Sequence, residues 1–148
     1  MRTLFYTFML LLSFLTSCSS PESIVTSPDG QIKLTFRLND NNQMTYQVTV
    51  NDSDFISPSV LGFEAKDGVN LSENFHITGV NFDSKDETWS QPWGENKSIR
   101  NHYNEMAILL ADNENTKLPL RFRVFDDGLG FRYEYEVPGT DSIFVMNE

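Results

Sequence analysis

After the turn signal Ser27-Pro28-Asp29-Gly30, apolar Ile32, Leu34, Phe36 and Leu38 alternate with polar Lys33, Thr35 and Arg37. A period of two is that of a strand with one buried face, because successive side chains point to opposite sides. Asn39 to Asn42 interrupts the run, and Tyr46, Val48 and Val50 resume the alternation up to Asn51-Asp52. These two segments are predicted to form a hairpin with a polar loop. Weaker strands are predicted at 60–65, closed by Lys66-Asp67-Gly68, and at 75–82. The C-terminal third is stronger: 106–110, 120–125, the turn Asp126-Asp127-Gly128, 131–137, the Pro138-Gly139 break, and 143–146. Helical periodicity is almost lacking, and regular short strands with turn punctuation predict an all-β sandwich or barrel. Strands are still arriving at Asn147-Glu148, which predicts a sheet incomplete at its C-terminal side.

The start of the chain departs from this pattern. Arg2 precedes an apolar run from Leu4 to Leu15, short for a bilayer span but of the length of a secretory leader's apolar region. Leu15-Thr16-Ser17-Cys18 resembles a bacterial lipobox, in which the cysteine is acylated and the leader is cut before it. Cys18 is the single cysteine of the chain, so no internal disulfide forms and the core must hold by packing. Each buried methylene of an acyl chain contributes about 0.8 kcal/mol of anchoring. An ordinary signal peptide cut near Ser20, or a buried free thiol, are the competing readings. The expected organisation is a lipoprotein signal peptide at 1–17, a tether at 18–23, and a β domain over 24–148. Ser19 stands where an aspartate would resemble an inner-membrane retention signal, so the chain is expected to be exported and lipid-anchored, at the outer membrane facing the periplasm, or periplasmic.

Charge narrows the partners. The 148 residues carry 11 Lys and Arg against 21 Asp and Glu, a net charge of −10 that becomes −11 once a leader bearing only Arg2 is removed. Such a balance repels nucleic acid and anionic lipid surfaces, leaving the membrane contact to the lipid anchor. It is compatible with neutral sugars and with cations.

The segment 89–105 holds both tryptophans, Trp89 and Trp93, together with Glu95, Arg100, His102, Tyr103 and Glu105. Flat aromatics beside carboxylate, amide and guanidinium groups suit a pyranose, which has an apolar face for stacking and a rim of hydroxyls. The competing reading is a long loop whose tryptophans plug the sandwich and whose Arg100 and Glu105 pair with each other. Composition alone favours that packing reading, since buried aromatics more often serve packing than recognition.

Three blocks carry a resemblance: Ser27-Pro28-Asp29-Gly30, the run from Trp93 to Glu105, and Phe122-Arg123-Val124-Phe125-Asp126-Asp127-Gly128-Leu129-Gly130-Phe131-Arg132-Tyr133. In this order they resemble the amino-terminal domain of glycoside hydrolase family 97. The resemblance implies a β-supersandwich of the galactose mutarotase-like type. It also implies exported α-glucosidases and α-galactosidases of Gram-negative glycan degraders, in which a (β/α)8 catalytic barrel and a small β domain follow. The barrel supplies the catalytic carboxylates and most calcium ligands in that family, and the first domain's own ligand is a glutamate expected beyond Glu148. Calcium is thus implied for a full-length parent, with no cofactor, metal or catalytic role inherited by this chain. Within it, Trp93 becomes an apolar wall, and Glu95, Arg100, His102, Tyr103 and Glu105 become polar candidates around a sugar or a domain interface. The expected function is a non-catalytic carbohydrate-binding or scaffold module of an exported α-glycosidase. The alternative is a stand-alone envelope lipoprotein that binds carbohydrate or a protein partner.

Other signals are weaker. Glu95 and Glu105 supply the two carboxylates a glycosidase needs, but sequence spacing fixes no separation between them. Gly128-Leu129-Gly130 lacks the third glycine of a dinucleotide fingerprint and is predicted as a hairpin turn. Asn39 to Asn42 lacks the glycine and glutamate of an EF-hand loop. His76 lies in an alternating segment with no cysteine or second histidine nearby in sequence. If Cys18 is the acylation site, metabolic labelling with a palmitate analogue is expected to mark the wild type and not Cys18→Ser; equal labelling would refute the lipobox.

Overall fold

The protein's structure, a computed structural model, describes residues 22–65, 70–114, 116–135 and 145–147. Among these residues every regular element is a strand: β1 (Ser23–Thr26), β2 (Ile32–Leu38), β3 (Met44–Val50), β4 (Ser53–Val60), β5 (Glu64–Ala65), β6 (His76–Ser90), β7 (Ser98–Ala111), β8 (Lys117–Val124), β9 (Leu129–Tyr133) and β10 (Val145–Asn147). Two four-stranded antiparallel sheets run in chain order, β1-β2-β3-β4 and β6-β7-β8-β9, and β5 pairs with β10.

Register decides which side chains meet. Ile32 lies opposite Val50, Leu34 opposite Val48 and Phe36 opposite Tyr46, which makes one face of the first sheet apolar. Met106 opposite Phe122, Ile108 opposite Leu120 and Leu110 opposite Leu118 do the same in the second. The two apolar faces pack as a sandwich, with the Phe36 and Phe122 ring centroids 6.0 Å apart. Leu61, Phe63, Leu71 and Phe75, from the connection between the sheets, complete this core. Gly62 takes φ 141° there, and a Cβ on it would lie 2.6 Å from the Ser72 Cα, so only glycine fits. Its amide donates to the Tyr133 hydroxyl at 3.0 Å, tying the connection to the second sheet.

The all-β sandwich agrees with the expectation from alternation, and the β2–β3 hairpin lies where it is predicted. Several boundaries differ. The segment 60–65 is not one strand: β4 ends at Val60, Leu61 and Phe63 turn into the core around Gly62, and β5 follows. β4 itself is absent from the sequence reading because it is a mostly exposed edge strand, where Pro58 is tolerated and no apolar alternation is required. Asn51 and Asp52, both with positive φ (51° and 61°), turn β3 into β4. β1 begins at Ser23, the last residue of the expected tether, and Ser23 is buried. The leader, Cys18, and segments 66–69, 136–144 and Glu148 lie outside the described residues, with parts of the predicted strands 131–137 and 143–146.

Phe122→Ala is expected to destabilise the domain by about 3–5 kcal/mol, as for deletion of a fully buried ring. Phe55→Ala, at a side chain 74% exposed, is expected to leave the urea midpoint within error. Equal midpoints for the two variants would place Phe122 outside the core.

Candidate functional site

The segment expected as a long loop is instead the outer half of a strand pair. β8 pairs with β7 only between Asn104 and Ala111, whereas β6 and β7 stay paired from Lys85↔Tyr103 to Ser90↔Ser98. A two-stranded ribbon therefore projects roughly 20 Å beyond the second sheet. At its tip the Gln91 amide donates to the Lys97 carbonyl at 3.0 Å, and the Gln91 side chain donates to the Asn96 carbonyl at 3.0 Å. Gly94, at φ 113°, allows this turn. Trp93 is 83% exposed and Trp89 46% exposed, so the tryptophans do not plug the sandwich. Polar residues on both faces of the ribbon hide its two-residue period, which is why the sequence reads as a loop.

Strand parity sorts the candidate residues into three places. Trp93 and Glu95 lie at the exposed tip. Arg100 and His102 share the β7 face of Met106 and Ile108, whereas Tyr103 and Glu105 take the opposite face. The expected Arg100–Glu105 pair is therefore not formed, since five residues along a strand put the two side chains on opposite sides. Arg100 instead binds Asp86 bidentately, with Nε donating to Oδ1 at 2.8 Å and Nη2 to Oδ2 at 2.7 Å. The hydrogen bond from Arg100 holds the Asp86 carboxyl below its usual range despite some desolvation.

On this face the three sequence blocks meet. Within the first turn, Ser27 Oγ donates to Asp29 Oδ1 at 2.5 Å. The Asp29 amide then donates to Asp126 Oδ1 at 2.9 Å, although the two residues are far apart in sequence. His102 Nδ1 lies 3.8 Å from Asp126 Oδ2; it is buried and has no hydrogen-bond partner among the described residues. Asn104 donates to the Thr26 carbonyl at 2.9 Å, fastening the base of the ribbon to β1. Asp126 is thus the residue that joins the blocks, a role sequence spacing does not reveal.

On the opposite face, Glu105 is buried beneath two arginines: Arg123 Nε donates to Oε2 at 2.7 Å, and Arg121 Nη1 donates to Oε1. Burial opposes ionisation of Glu105, but the hydrogen bonds from Arg123 and Arg121 prevail and hold its carboxyl below the usual range. Arg121 also donates through Nε to Glu134 Oε1 at 2.7 Å, and Arg132 Nε donates to the same oxygen at 2.9 Å. The hydrogen bond from Arg121 leads in lowering the Glu134 carboxyl to about 2, with a smaller contribution from Arg132. The Arg123 guanidinium lies 4.6 Å over the Tyr103 ring, which itself packs on Phe125. Glu105 is therefore a structural ion-pair centre, separate in space from Glu95 at the tip. Among the described residues no three His, Cys, Asp or Glu side chains are grouped to hold a metal ion.

Because the Glu134 carboxyl lies lower folded than its ordinary 4.5, its stabilisation is full above that value and is lost as pH falls toward 2. Glu134→Gln is expected to cost about 1–2 kcal/mol at pH 7 after allowance for partial exposure, and progressively less below pH 4.5. Urea midpoints across pH 3–7 test this; a cost that stays constant with pH would refute the ion-pair assignment.

The chain is similar in sequence and fold to known proteins. A retaining alpha-galactosidase of Bacteroides thetaiotaomicron is 27% identical over 133 residues, covering 90% of this chain and 19% of its own length. A glycoside hydrolase family 97 enzyme from Pseudoalteromonas sp. strain K8, solved with acarbose, superposes with a TM-score of 0.75 at 33% identity, over 83% of this chain and 19% of that one. A beta-arabinopyranosidase structure gives 0.74 at 25% identity, over 84% and 20%. The chain thus spans about a fifth of the length of these relatives. The family model described as Glycosyl-hydrolase 97 N-terminal matches residues 25–148, and with its blocks gathered around Asp126 the chain belongs to glycoside hydrolase family 97, of which this sandwich is the N-terminal domain.

Proposed function

We propose that this chain is the non-catalytic front module of an exported α-glycosidase, and that its β6–β7 ribbon lies against a catalytic barrel at the mouth of the active site. The observation that carries this reading is the ribbon itself. An isolated two-stranded hairpin is marginal in water, yet this one extends well past its sheet and presents Trp89 and Trp93 to solvent. Exposed aromatics on a projecting arm mark a surface that another body covers. Phe82 and Ile24, also exposed at the base of the ribbon beside Asn104, form a separate apolar patch on the strand face opposite to that of Trp89. The similarity to a retaining alpha-galactosidase and a beta-arabinopyranosidase supports glycoside chemistry as the setting.

In this reading the tryptophans supply an apolar wall, and Glu95 at the tip offers a hydrogen-bonding rim to sugar hydroxyls. Arg100 and His102 lie further back and orient the arm through Asp86 and Asp126. An anchor at Cys18 would hold the assembly at the outer membrane, facing the periplasm. The chemistry of bond cleavage belongs to the barrel: general acid and base groups must flank the glycosidic bond at fixed separation, and a sandwich edge offers no such cleft.

The purified chain is expected to leave nitrophenyl α-glucoside and α-galactoside unhydrolysed, at the level of a mock purification; turnover above that level would overturn the non-catalytic assignment. In a barrel-bearing parent, Trp93→Ala is expected to raise KM or lower kcat without moving Tm. An unchanged KM and kcat would remove the ribbon from the active-site mouth.

A further inference from the structure

The ion pairs on the outer face of β7, β8 and β9 form a single alternating chain: Arg123, Glu105, Arg121, Glu134, Arg132. It begins and ends on a cation. Both end residues line the same cavity of about 180 Å³, whose other walls are Arg121, Phe125, Gly130 and Phe131. The register explains the opening. Arg132 lies directly opposite Arg121, but the position opposite Arg123 is Gly130, and nothing lies within 4 Å of where a Gly130 Cβ would be. A missing side chain thus leaves a hollow between two guanidinium groups.

Like charges facing one another across a sheet are unfavourable unless an anion stands between them. Glu134 plays that part for Arg121 and Arg132, and Glu105 for Arg121 and Arg123. Between Arg123 and Arg132 no described residue supplies a bridging carboxylate. Arg123 commits Nε to Glu105, and its two terminal nitrogens have no hydrogen-bond partner among the described residues; Arg132 commits Nε and Nη2 to Glu134, which leaves Nη1. The Arg123 guanidinium is steadied over the Tyr103 ring, so little side-chain freedom remains to be lost on binding. The net charge of −10 opposes an incoming anion at long range, but salt screens it beyond about 10 Å at 0.1 M, whereas contact with two guanidinium groups is local.

We propose that this hollow binds the carboxylate of an acidic sugar, a uronic acid residue, closing the ring of alternating charge between Arg123 and Arg132. A planar carboxylate matches the paired donors of a guanidinium, and Phe125 offers a flat wall to the apolar face of the pyranose. The sugar part of this assignment rests on the proposed role of the module in glycan breakdown; the carboxylate part rests on the geometry alone. The site is distinct from the ribbon tip, so either can fail without the other.

The test is an NMR titration of the arginine Nε–Hε signals of the full chain with glucuronate, glucose and acetate. Glucuronate is expected to shift Arg123 and Arg132 saturably, with affinity at least tenfold above that for glucose. Arg123→Ala is expected to abolish the shift of Arg132. Gly130→Val fills the hollow without touching an arginine, suits a strand position, and is expected to weaken glucuronate at least tenfold with Tm unchanged. Equal affinity for glucose, or no saturable shift, would overturn the site. Acetate binding as tightly as glucuronate would overturn the sugar assignment. Neither result bears on the Trp93 experiment.

Discussion

Phe36 and Phe122 meet across the interior, and the contact fixes more than the core. Once Phe122 faces inward, its partner Met106 does too, and every second residue of β7 follows. Asn104, His102 and Arg100 are carried to the inward side of the ribbon, and Tyr103 and Glu105 to the outward side. A slip of one residue would bury Glu105 and Arg121 in the apolar layer, at a cost of several kcal/mol for each unpaired charge. Core packing therefore sets the register, and the register assigns each polar side chain of the ribbon its neighbours.

That dependence explains what the sequence reveals and what it hides. Alternation is legible where one face is buried, as at Ile32, Leu34 and Phe36, so the sandwich can be read from the pattern. It is illegible in β4 and in the ribbon, where both faces meet solvent and nothing demands apolar residues. The same gap accounts for Arg100 and Glu105. Read as a loop, the segment permits any pairing; read as a strand, their odd spacing forbids it. Asp126 escapes notice because its partners, the Asp29 amide and His102, come from distant segments that only the closed sandwich brings together. The family resemblance identified the three blocks without revealing that they share a place in the fold.

Charge is distributed with similar economy. An acidic chain places Arg121, Arg123 and Arg132 on one sheet face and threads Glu105 and Glu134 between them, so that cations which would repel one another across β8 and β9 are bridged. Glu105 is buried and still ionised because two guanidinium groups replace the water it loses. On the other face Arg100 binds Asp86 bidentately, and this pair stiffens the ribbon near its middle. The ribbon is thus pinned at its base by Asn104, at its middle by Arg100, and at its tip by Gln91.

Such pinning matters for what the arm can do when covered. Burying a tryptophan side chain removes about 150–250 Å² from water, and at about 25 cal/mol per Å² two of them contribute several kcal/mol. A free protein partner would spend much of that on lost translational and rotational freedom. In the proposed reading, a catalytic domain in the same polypeptide would be held nearby at high effective concentration. Because the ribbon is preordered by its own pairs, little further entropy would be lost if such a domain covered Trp89 and Trp93, and a contact of modest area would be enough to seat the arm.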